Sequence, residues 1–374
     1  MKIQNVQNCT FSKWYTTFKD VTIKSRILPI PDDFLEYLLA DGVVLPEGAS
    51  PNCPGNDSDN DNTENEMTDW DKDVPECKAP TFPEFEEAIR SIIKSKFMGG
   101  KVFPKLNWSA PKDATWISFD RTLKCTCPSD VYLLLKSSDF ITRDLTQPFL
   151  HCEDYNDGDK VPVQYELVLR RWHTLEPGTE FRCFVKENQL IGITQRDCGS
   201  CFPHINNEKS SIIADISAFH YHVIGDKFPD SSYVFDIYRK QQGKVYLIDF
   251  NPFGVVTDSL LFDWEELESY TSDTQLKSTS GESSQVPAFR YIDSSTGVQP
   301  DPYSQYAMPV DFKDLTSGED AYKLVDFLKM KIQGQENDSS SSDDEPTVAI
   351  ETTTVTNTTE SHSKDFKQTS TSKS

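Results

Sequence analysis

The sequence predicts an α+β or α/β fold with antiparallel sheets, and we take α+β as the fold class. Segments with apolar residues at helical spacing alternate, without a regular order, with short strand-like segments. Two pairs of strand-like segments are separated by the short turns Glu187-Asn188 and Gln242-Gly243, which are typical of antiparallel hairpins. No internal repeat is visible.

Four segments are predicted to be helical from the spacing of their apolar residues. In 82–97, for example, Phe85, Ile89 and Ile92 recur at intervals of three and four residues, and Gly99-Gly100 ends the segment. The same criterion selects 32–41, 82–97, a helix that starts at Ser129, and 207–223.

Seven segments read as strands because they are short and rich in β-branched and aromatic residues. One of them contains Pro104, which has no N–H to donate and therefore indicates a sheet edge or a strand end. The predicted strands are 101–104, 115–119, 163–171, 180–186, 190–196, 232–239 and 244–250.

Charge is both strongly acidic and unevenly distributed. The chain of 374 residues has 37 Lys and Arg against 60 Asp and Glu, a net charge of −23. Binding to nucleic acid through phosphate neutralisation needs a basic surface, so we expect no direct nucleic-acid partner. The acid is concentrated in 46–76 and 334–374, which have few aliphatic residues. We predict a disordered acidic insert and a disordered acidic Ser/Thr-rich tail.

The sequence also suggests a cellular compartment. Its N-terminus is polar, and no apolar run approaches the roughly 20 residues of a membrane-spanning helix. The nine cysteines are odd in number and lack the spacing of a disulfide scaffold. We therefore expect a cytoplasmic protein with reduced thiols and no membrane partner.

The strand 244–250 ends in a candidate metal site. Asp249 and Asn251 are two residues apart, so they share one face of the strand. Asp236 lies on the preceding strand, and antiparallel pairing would bring it near Asp249. Three oxygen ligands could hold Mg²⁺ and leave room for nucleotide phosphates. The alternative is that Asp249 and Asn251 cap a turn before Pro252.

A second cluster contains arginines that alternate with apolar residues. Glu180, Arg182 and Phe184 share one face of a predicted strand, and Arg196 ends the next strand. Two guanidinium groups in this arrangement could clamp phosphate oxygens. An internal network between Arg182 and Glu180 is an equally acceptable interpretation of this segment alone.

A third cluster follows the strand that contains Pro104. Lys105 could contact a phosphate, and Trp108 could pack against a base or a sugar. Read alone, the segment is better explained by a lysine at the surface and a tryptophan in the core.

Taken together, these clusters resemble the site of ATP-grasp proteins, which hold Mg-ATP between two antiparallel sheets. The chain also resembles the cell division cycle protein 123 family (the D123 proteins) over nearly its whole length. The resemblance implies a monomer with an ATP-grasp domain of two α/β lobes over 1–45 and 77–333, of which about 287–333 is a C-terminal wrapping segment. It depends on six blocks: 25–31, 104–111, 180–185, 195–197, 235–238 and 248–254.

The resemblance also implies a role for each matching residue. Asp236, Asp249 and Asn251 would hold Mg²⁺. The implied nucleotide contacts are Lys105 at the phosphates; Asn107, Trp108 and Ala110 in the pocket; Arg170 and Trp172 along the adenine hinge; Glu180 and Arg182 beneath the ribose and phosphates; and Arg196, Asp236 and Asp249.

The implied function is that of an assembly factor with ATP and Mg²⁺ as cofactors. It would bind the gamma subunit of eukaryotic translation initiation factor 2 and promote its joining with the other two subunits. An ATP-grasp ligase that joins a carboxylate to an amine through an acyl phosphate would use nearly the same residues. The sequence shows no pocket for such substrates, and little room precedes the first helix. A structural module whose carboxylates only cap turns is the third alternative.

The chain departs from the family pattern at Cys198-Gly199-Ser200-Cys201 and His204. The cysteine spacing is compatible with zinc, but a structural zinc site needs four ligands. The other ligands would have to come from Cys125, Cys127 or His151, so we do not expect zinc.

Overall fold

The structure is a computed structural model that describes residues 1–40, 46, 80–97, 100–118, 120–156, 158–271 and 287–293. The predicted tail 334–374 lies outside the described residues, as does the predicted insert 46–76 apart from Pro46. Of the predicted wrapping segment 287–333, only 287–293 is described. None of the described helices is long and apolar enough to cross a membrane.

The smaller of two sheets has three antiparallel strands in the order β1-β3-β2. They are β1 (Ser25–Pro29), β2 (Val102–Lys105) and β3 (Glu166–Arg171). Successive side chains of the central strand β3 point to opposite faces of the sheet. Leu167 and Leu169 enter the core of the small lobe, whereas Val168 joins the core of the larger sheet. Pro104 lies in the edge strand β2, as its missing N–H predicts.

Helices cover the small sheet and build its core. Phe34 is fully buried and contacts the rings of Phe82, Phe85 and Tyr132. A proline at the first position starts two of the helices, where a missing N–H costs nothing. The helices are α3 (Asp32–Leu39), α4 (Pro83–Ser91, extended by a π turn over Ile92–Lys96), α5 (Pro128–Lys136) and α6 (Asp139–Thr146).

One strand prediction in this lobe is wrong. The segment 115–119 was expected to be extended, but Lys112–Ile117 forms a 3₁₀ helix. Its buried apolar residues, Ala114 and Ile117, are three positions apart, which is the repeat of that helix. The carboxylate of Asp113 accepts hydrogen bonds from the Ser138 hydroxyl and the Phe140 N–H. These bonds fix the helix to the start of α6.

The larger sheet has five strands in the order β7-β6-β4-β5-β8. All neighbours are antiparallel except β5 and β8, which are parallel. Both predicted hairpin turns are confirmed, with positive φ at Glu187, Asn188 and Gly243. The strands are β4 (Glu180–Lys186), β5 (Gln189–Gln195), β6 (Tyr233–Gln241), β7 (Lys244–Pro252) and β8 (Ala288–Arg290).

The two faces of the larger sheet have different surroundings. On one face, Phe181, Cys183 and Val185 of β4 enter a core that includes apolar residues of several helices. On the other face, Phe184 joins a small apolar cluster, and the rest of the face is left for polar residues. The remaining helices are α1 (Ile3–Asn8), α2 (Phe11–Phe18), α7 (Pro203–Phe219, followed by a π turn over His220–Ile224) and α8 (Trp264–Ser269).

Candidate functional site

A cavity of about 690 Å³ is lined by residues of both sheets. The small sheet contributes residues of β2 and β3, and the large sheet contributes residues of β4, β6 and β7. Eleven of the twelve residues singled out in the sequence line this cavity: Lys105, Trp108, Ala110, Arg170, Trp172, Glu180, Arg182, Arg196, Asp236, Asp249 and Asn251.

Strand register aligns three of these side chains in one row across the large sheet. Arg182 is opposite Asp236 in the β4–β6 pair, and Asp236 is opposite Asp249 in the β6–β7 pair. Asn251 follows Asp249 by two residues and belongs to the next row of the same face. The predicted proximity of Asp236 and Asp249 is therefore confirmed.

Asp236 is the acidic centre of the row and is already paired with cations. Its two carboxylate oxygens accept hydrogen bonds of 2.8 Å each from Nε and Nη2 of Arg182, and Arg196 Nε lies 3.7 Å away. Burial alone would raise the pKa of Asp236, but Arg182 and Arg196 hold it well below its usual range. Arg182 therefore pairs with Asp236 and not with Glu180, the partner considered from the sequence.

A second ion pair joins the two sheets across the cavity. Lys105 at the end of β2 donates from Nζ to Oδ2 of Asp249 on β7 at 2.6 Å. The Lys105 side chain is only 1% exposed, whereas that of Asp249 is 17% exposed. A buried ammonium group needs such a partner, because desolvation of an unpaired charge costs several kcal/mol. Lys105 is thus not the surface lysine that the segment alone suggested.

Arg170 makes the second contact between the sheets. Its Nη1 donates to the backbone oxygen of Ile248 at 2.8 Å, and its Nη2 donates to the Thr22 hydroxyl at 3.3 Å. Ile248 is the extra residue where the β6–β7 register shifts, so its carbonyl is free of the ladder. The Nε of Arg170 is buried without a hydrogen-bond partner. A buried guanidinium with an unused donor, in a residue that lines a cavity, indicates a polar ligand.

Lys112 belongs to the same group of charges, although the sequence interpretation did not select it. The positive charge of Arg196, and then burial, lower the pKa of Lys112 to about 8. Burial raises the pKa of the nearby Glu180 carboxyl, while Lys112 and Arg196 act in the opposite direction. A lysine whose pKa is lowered mainly by another cation lies in a positive field, which an anion would relieve.

The balance of charge in the cavity is the reverse of that of the chain. Among the described residues, seven Lys and Arg side chains line the cavity, against four Asp and Glu side chains. Burial, Arg171 and Lys240 lower the pKa of His173 at the same wall. The chain as a whole carries a net charge of −23. A cavity with this balance of charge favours an anionic ligand.

Asn107 is the one predicted residue that does not line the cavity. Its Nδ2 donates to the backbone oxygen of Gln164, and its Oδ1 accepts from the backbone N–H of Glu166. Both ends of the amide therefore tie the loop after β2 to β3. Trp108 lines the cavity, but its Nε1 also donates to Val6 and its ring contacts Phe149. Trp108 thus belongs to both the cavity and the core.

The donors present are compatible with magnesium. Asp236, Asp249 and the amide of Asn251 supply only oxygen ligands, as Mg²⁺ prefers. Among the described residues, no group of three His, Cys, Asp or Glu side chains is placed to hold a metal ion. Zinc gains no support in the described chain: Cys198 is buried, Cys201 is exposed, and His204 faces the carbonyl of Gly178 at 3.1 Å.

The fold and the cavity define a class: an α+β protein whose two sheets enclose a cavity rich in cationic side chains. The particular family follows from comparison with known proteins. The family model of D123 matches residues 14–316, and the chain belongs to this family.

Similar proteins extend over most of the chain. A translation initiation factor eIF2 assembly protein from Xenopus laevis is 49% identical over 343 residues, 91% of this chain and 99% of that protein. The protein of the same name from Danio rerio is 50% identical over 349 residues, 92% of this chain and 99% of its own. Among solved structures, Cdc123 from Schizosaccharomyces pombe has a TM-score of 0.61 at 35% identity and covers 78% of this chain and 98% of that one.

Proposed function

We propose that this chain binds Mg-ATP between its two sheets, as an ATP-grasp protein does, and acts as an assembly factor for eukaryotic translation initiation factor 2. The observation that carries the nucleotide part is the cation-rich cavity of an otherwise acidic protein. The names of the relatives from Xenopus laevis and Danio rerio support the assembly part. We propose the gamma subunit as the direct partner, and a monomer in the cytoplasm as the acting form.

The residues of the cavity suit different parts of a nucleotide. Lys105, Lys112 and Arg196 offer positive charge to phosphates. Asp249 and Asn251, together with Asp236, would hold Mg²⁺, which when bound would screen the charge of the phosphates. Arg170 and Trp172 lie on and just after β3 and would border the base. In this assignment Asn107 positions the loop and does not contact the nucleotide.

The ion pair between Lys105 and Asp249 suggests how ligand binding would change the contact between the two sheets. Lys105 and Asp249 belong to different sheets and neutralise each other at 2.6 Å. A ligand that recruits Lys105 to phosphate and Asp249 to metal would replace this contact with its own bridge between the sheets. The relative placement of the two sheets would then depend on the ligand. A partner that contacts both sheets would bind the loaded protein with a different affinity.

Binding of the purified gamma subunit to the immobilised chain tests the proposal. The variants are Asp249→Asn, which removes one metal ligand and one charge, and Asp226→Asn, the same change at an exposed position outside the cavity. We expect the wild type and Asp226→Asn to bind the gamma subunit more tightly with Mg-ATP than with EDTA.

Asp249→Asn should lose that difference while retaining a cooperative unfolding transition. Equal binding by all three proteins in both conditions would keep the partner and refute the role of the nucleotide. Absence of binding by the wild type would refute the partner, and the ligase alternative would then be tested by release of ADP with candidate carboxylates and amines.

A further inference from the structure

The N-terminal part of the chain provides the base of the cation site. The family model begins at residue 14, yet Phe11 at the start of α2 is fully buried beneath two cations of the cavity. The Nζ of Lys105 lies 5.2 Å from the centroid of its ring, and the guanidinium carbon of Arg170 lies 5.4 Å from it. These distances are within the range of a cation–π interaction.

The ring of Phe11 is held in place from several directions. It stacks on Tyr15 at 5.1 Å with an interplanar angle of 24°, and it meets Trp14 edge-on at 4.6 Å. The backbone N–H of Phe11 donates to the carbonyl of Asn107 at 3.0 Å. The next N–H, of Ser12, donates to Glu166 at 2.8 Å. The start of α2 is therefore tied both to the loop after Lys105 and to the strand that carries Arg170.

An aromatic ring has a property that a carboxylate lacks at this position. It stabilises a buried cation through its quadrupole without adding a negative charge, so the net positive charge of the site is kept. Among the described residues, Arg170 makes no ion pair: its recorded acceptors are a carbonyl and a hydroxyl. Lys105 has Asp249 as its acidic partner, which the proposed function assigns to Mg²⁺. Once Asp249 is so engaged, the ring would remain as the stabilising neighbour of the Lys105 ammonium.

We infer that Phe11 is a positioning residue of the nucleotide site, which through the face of its ring holds Lys105 toward the phosphates and Arg170 at the border of the base. This inference rests on the proposed function, since it concerns affinity for Mg-ATP. It adds α2 to the site as a structural support and gives a role to Asn107, whose backbone and side chain join α2, the loop after β2 and β3.

Stepwise fluorination of the ring tests the inference with little change of shape. Phenylalanine with one, two or three ring fluorines is introduced at position 11, and the affinity for Mg-ATP is measured by titration calorimetry. Each fluorine weakens the negative face of the ring. We expect affinity to fall with each fluorine, to a total of about threefold to thirtyfold for the trifluoro ring. A residue that only fills space would show no such graded loss.

Phe18 is a matched control on the same helix. It is 2% exposed and contacts the ring of Phe250 at 5.3 Å, and no Lys or Arg of the described chain is recorded over its ring. Fluorination at position 18 should leave the affinity unchanged. A flat series at position 11, in a wild type that binds Mg-ATP, would refute the inference alone. A wild type that does not bind Mg-ATP would instead refute the proposed function.

Discussion

The Arg182–Asp236 ion pair leads to a quantitative prediction about stability. Both side chains are nearly buried, at 5% and 9% exposure, and they share two hydrogen bonds of 2.8 Å. Asp236→Asn preserves the shape but removes the charge and one acceptor oxygen. Loss of one partner of a buried pair costs about 3–5 kcal/mol. Because each kcal/mol shifts the melting temperature by about 2–4 °C in a domain of this size, we expect a drop of about 6–20 °C.

Thermal unfolding gives the melting temperature and urea unfolding gives the free energy; both are followed by tryptophan fluorescence, in EDTA and without nucleotide, so that ligand binding does not contribute. Glu208→Gln is the control, because it also breaks an ion pair with an arginine, Arg239. Glu208 is 49% exposed, and Arg239 keeps its second partner, Asp215. The control should lose less than about 1 kcal/mol. Equal losses in the two variants would refute the argument from burial.

The pH dependence of the same variant provides a second check. The folded protein holds the pKa of Asp236 below its ordinary value of 3.8. A carboxyl with a lowered pKa stabilises the fold fully above the unfolded value and loses this contribution as the pH falls toward the folded value. The difference between wild type and Asp236→Asn should therefore be constant above about pH 5 and shrink below about pH 4. A difference that stayed constant down to pH 2 would contradict the assigned pKa.

Three further predictions concern single groups. The affinity for Mg-ATP should fall as the pH rises from 7 to 9, because the pKa of Lys112 is about 8 and the side chain loses its charge. In Lys112→Arg, affinities measured over the same pH range should show little of that fall. The same pH profile in both proteins would contradict a phosphate contact by Lys112. Burial raises the pKa of Asp144 to about 6, so its ionisation destabilises the fold as the pH rises from 4 to 7. The unfolding free energy of Asp144→Asn, relative to that of the wild type, should therefore increase over this pH range. A constant difference would contradict the raised pKa. In urea unfolding, Gly178→Ala should cost about 1–3 kcal/mol more than Gly243→Ala. Both glycines have φ +73°, but of these two only Gly178 would place the new Cβ against a neighbour, Phe202, at 2.5 Å. Equal losses would show that Phe202 can move.

Local sequence signals were sufficient for the hairpins and for part of the site. The turn at Gln242-Gly243 fixes which residues of β6 and β7 face each other, so the sequence alone places Asp236 near Asp249. Alternation along β4 likewise placed Glu180 and Arg182 on one face. The fold class follows from the same patterns, and among the described strands of the two sheets the antiparallel order fails only at β8, which is parallel to β5.

Contacts between residues that are distant in the chain were not predictable in the same way. Arg182 and Asp236 are 54 positions apart, so only the β4–β6 pairing decides that the arginine meets this acid and not Glu180. Lys112 was missed because the sequence interpretation selected no residue of this segment, and the 3₁₀ helix that Lys112 begins was predicted from residue 115 onward as a strand. The helix α1 was missed because its six residues are too few for a clear apolar period. The helix α2 was also missed, although its buried residues Phe11, Trp14 and Phe18 have helical spacing that could have indicated it. Phe11 and its two cations lie in that missed segment.

The central claim is that the cavity between the two sheets binds Mg-ATP. The most direct measurement is titration calorimetry of the nucleotide-free chain with ATP, in Mg²⁺ and in EDTA, for the wild type and Asp249→Asn. We expect saturable binding at one site per chain that weakens without Mg²⁺ and weakens further in the variant. Absence of binding by the wild type in Mg²⁺, or the same affinity for all four combinations, would contradict the claim.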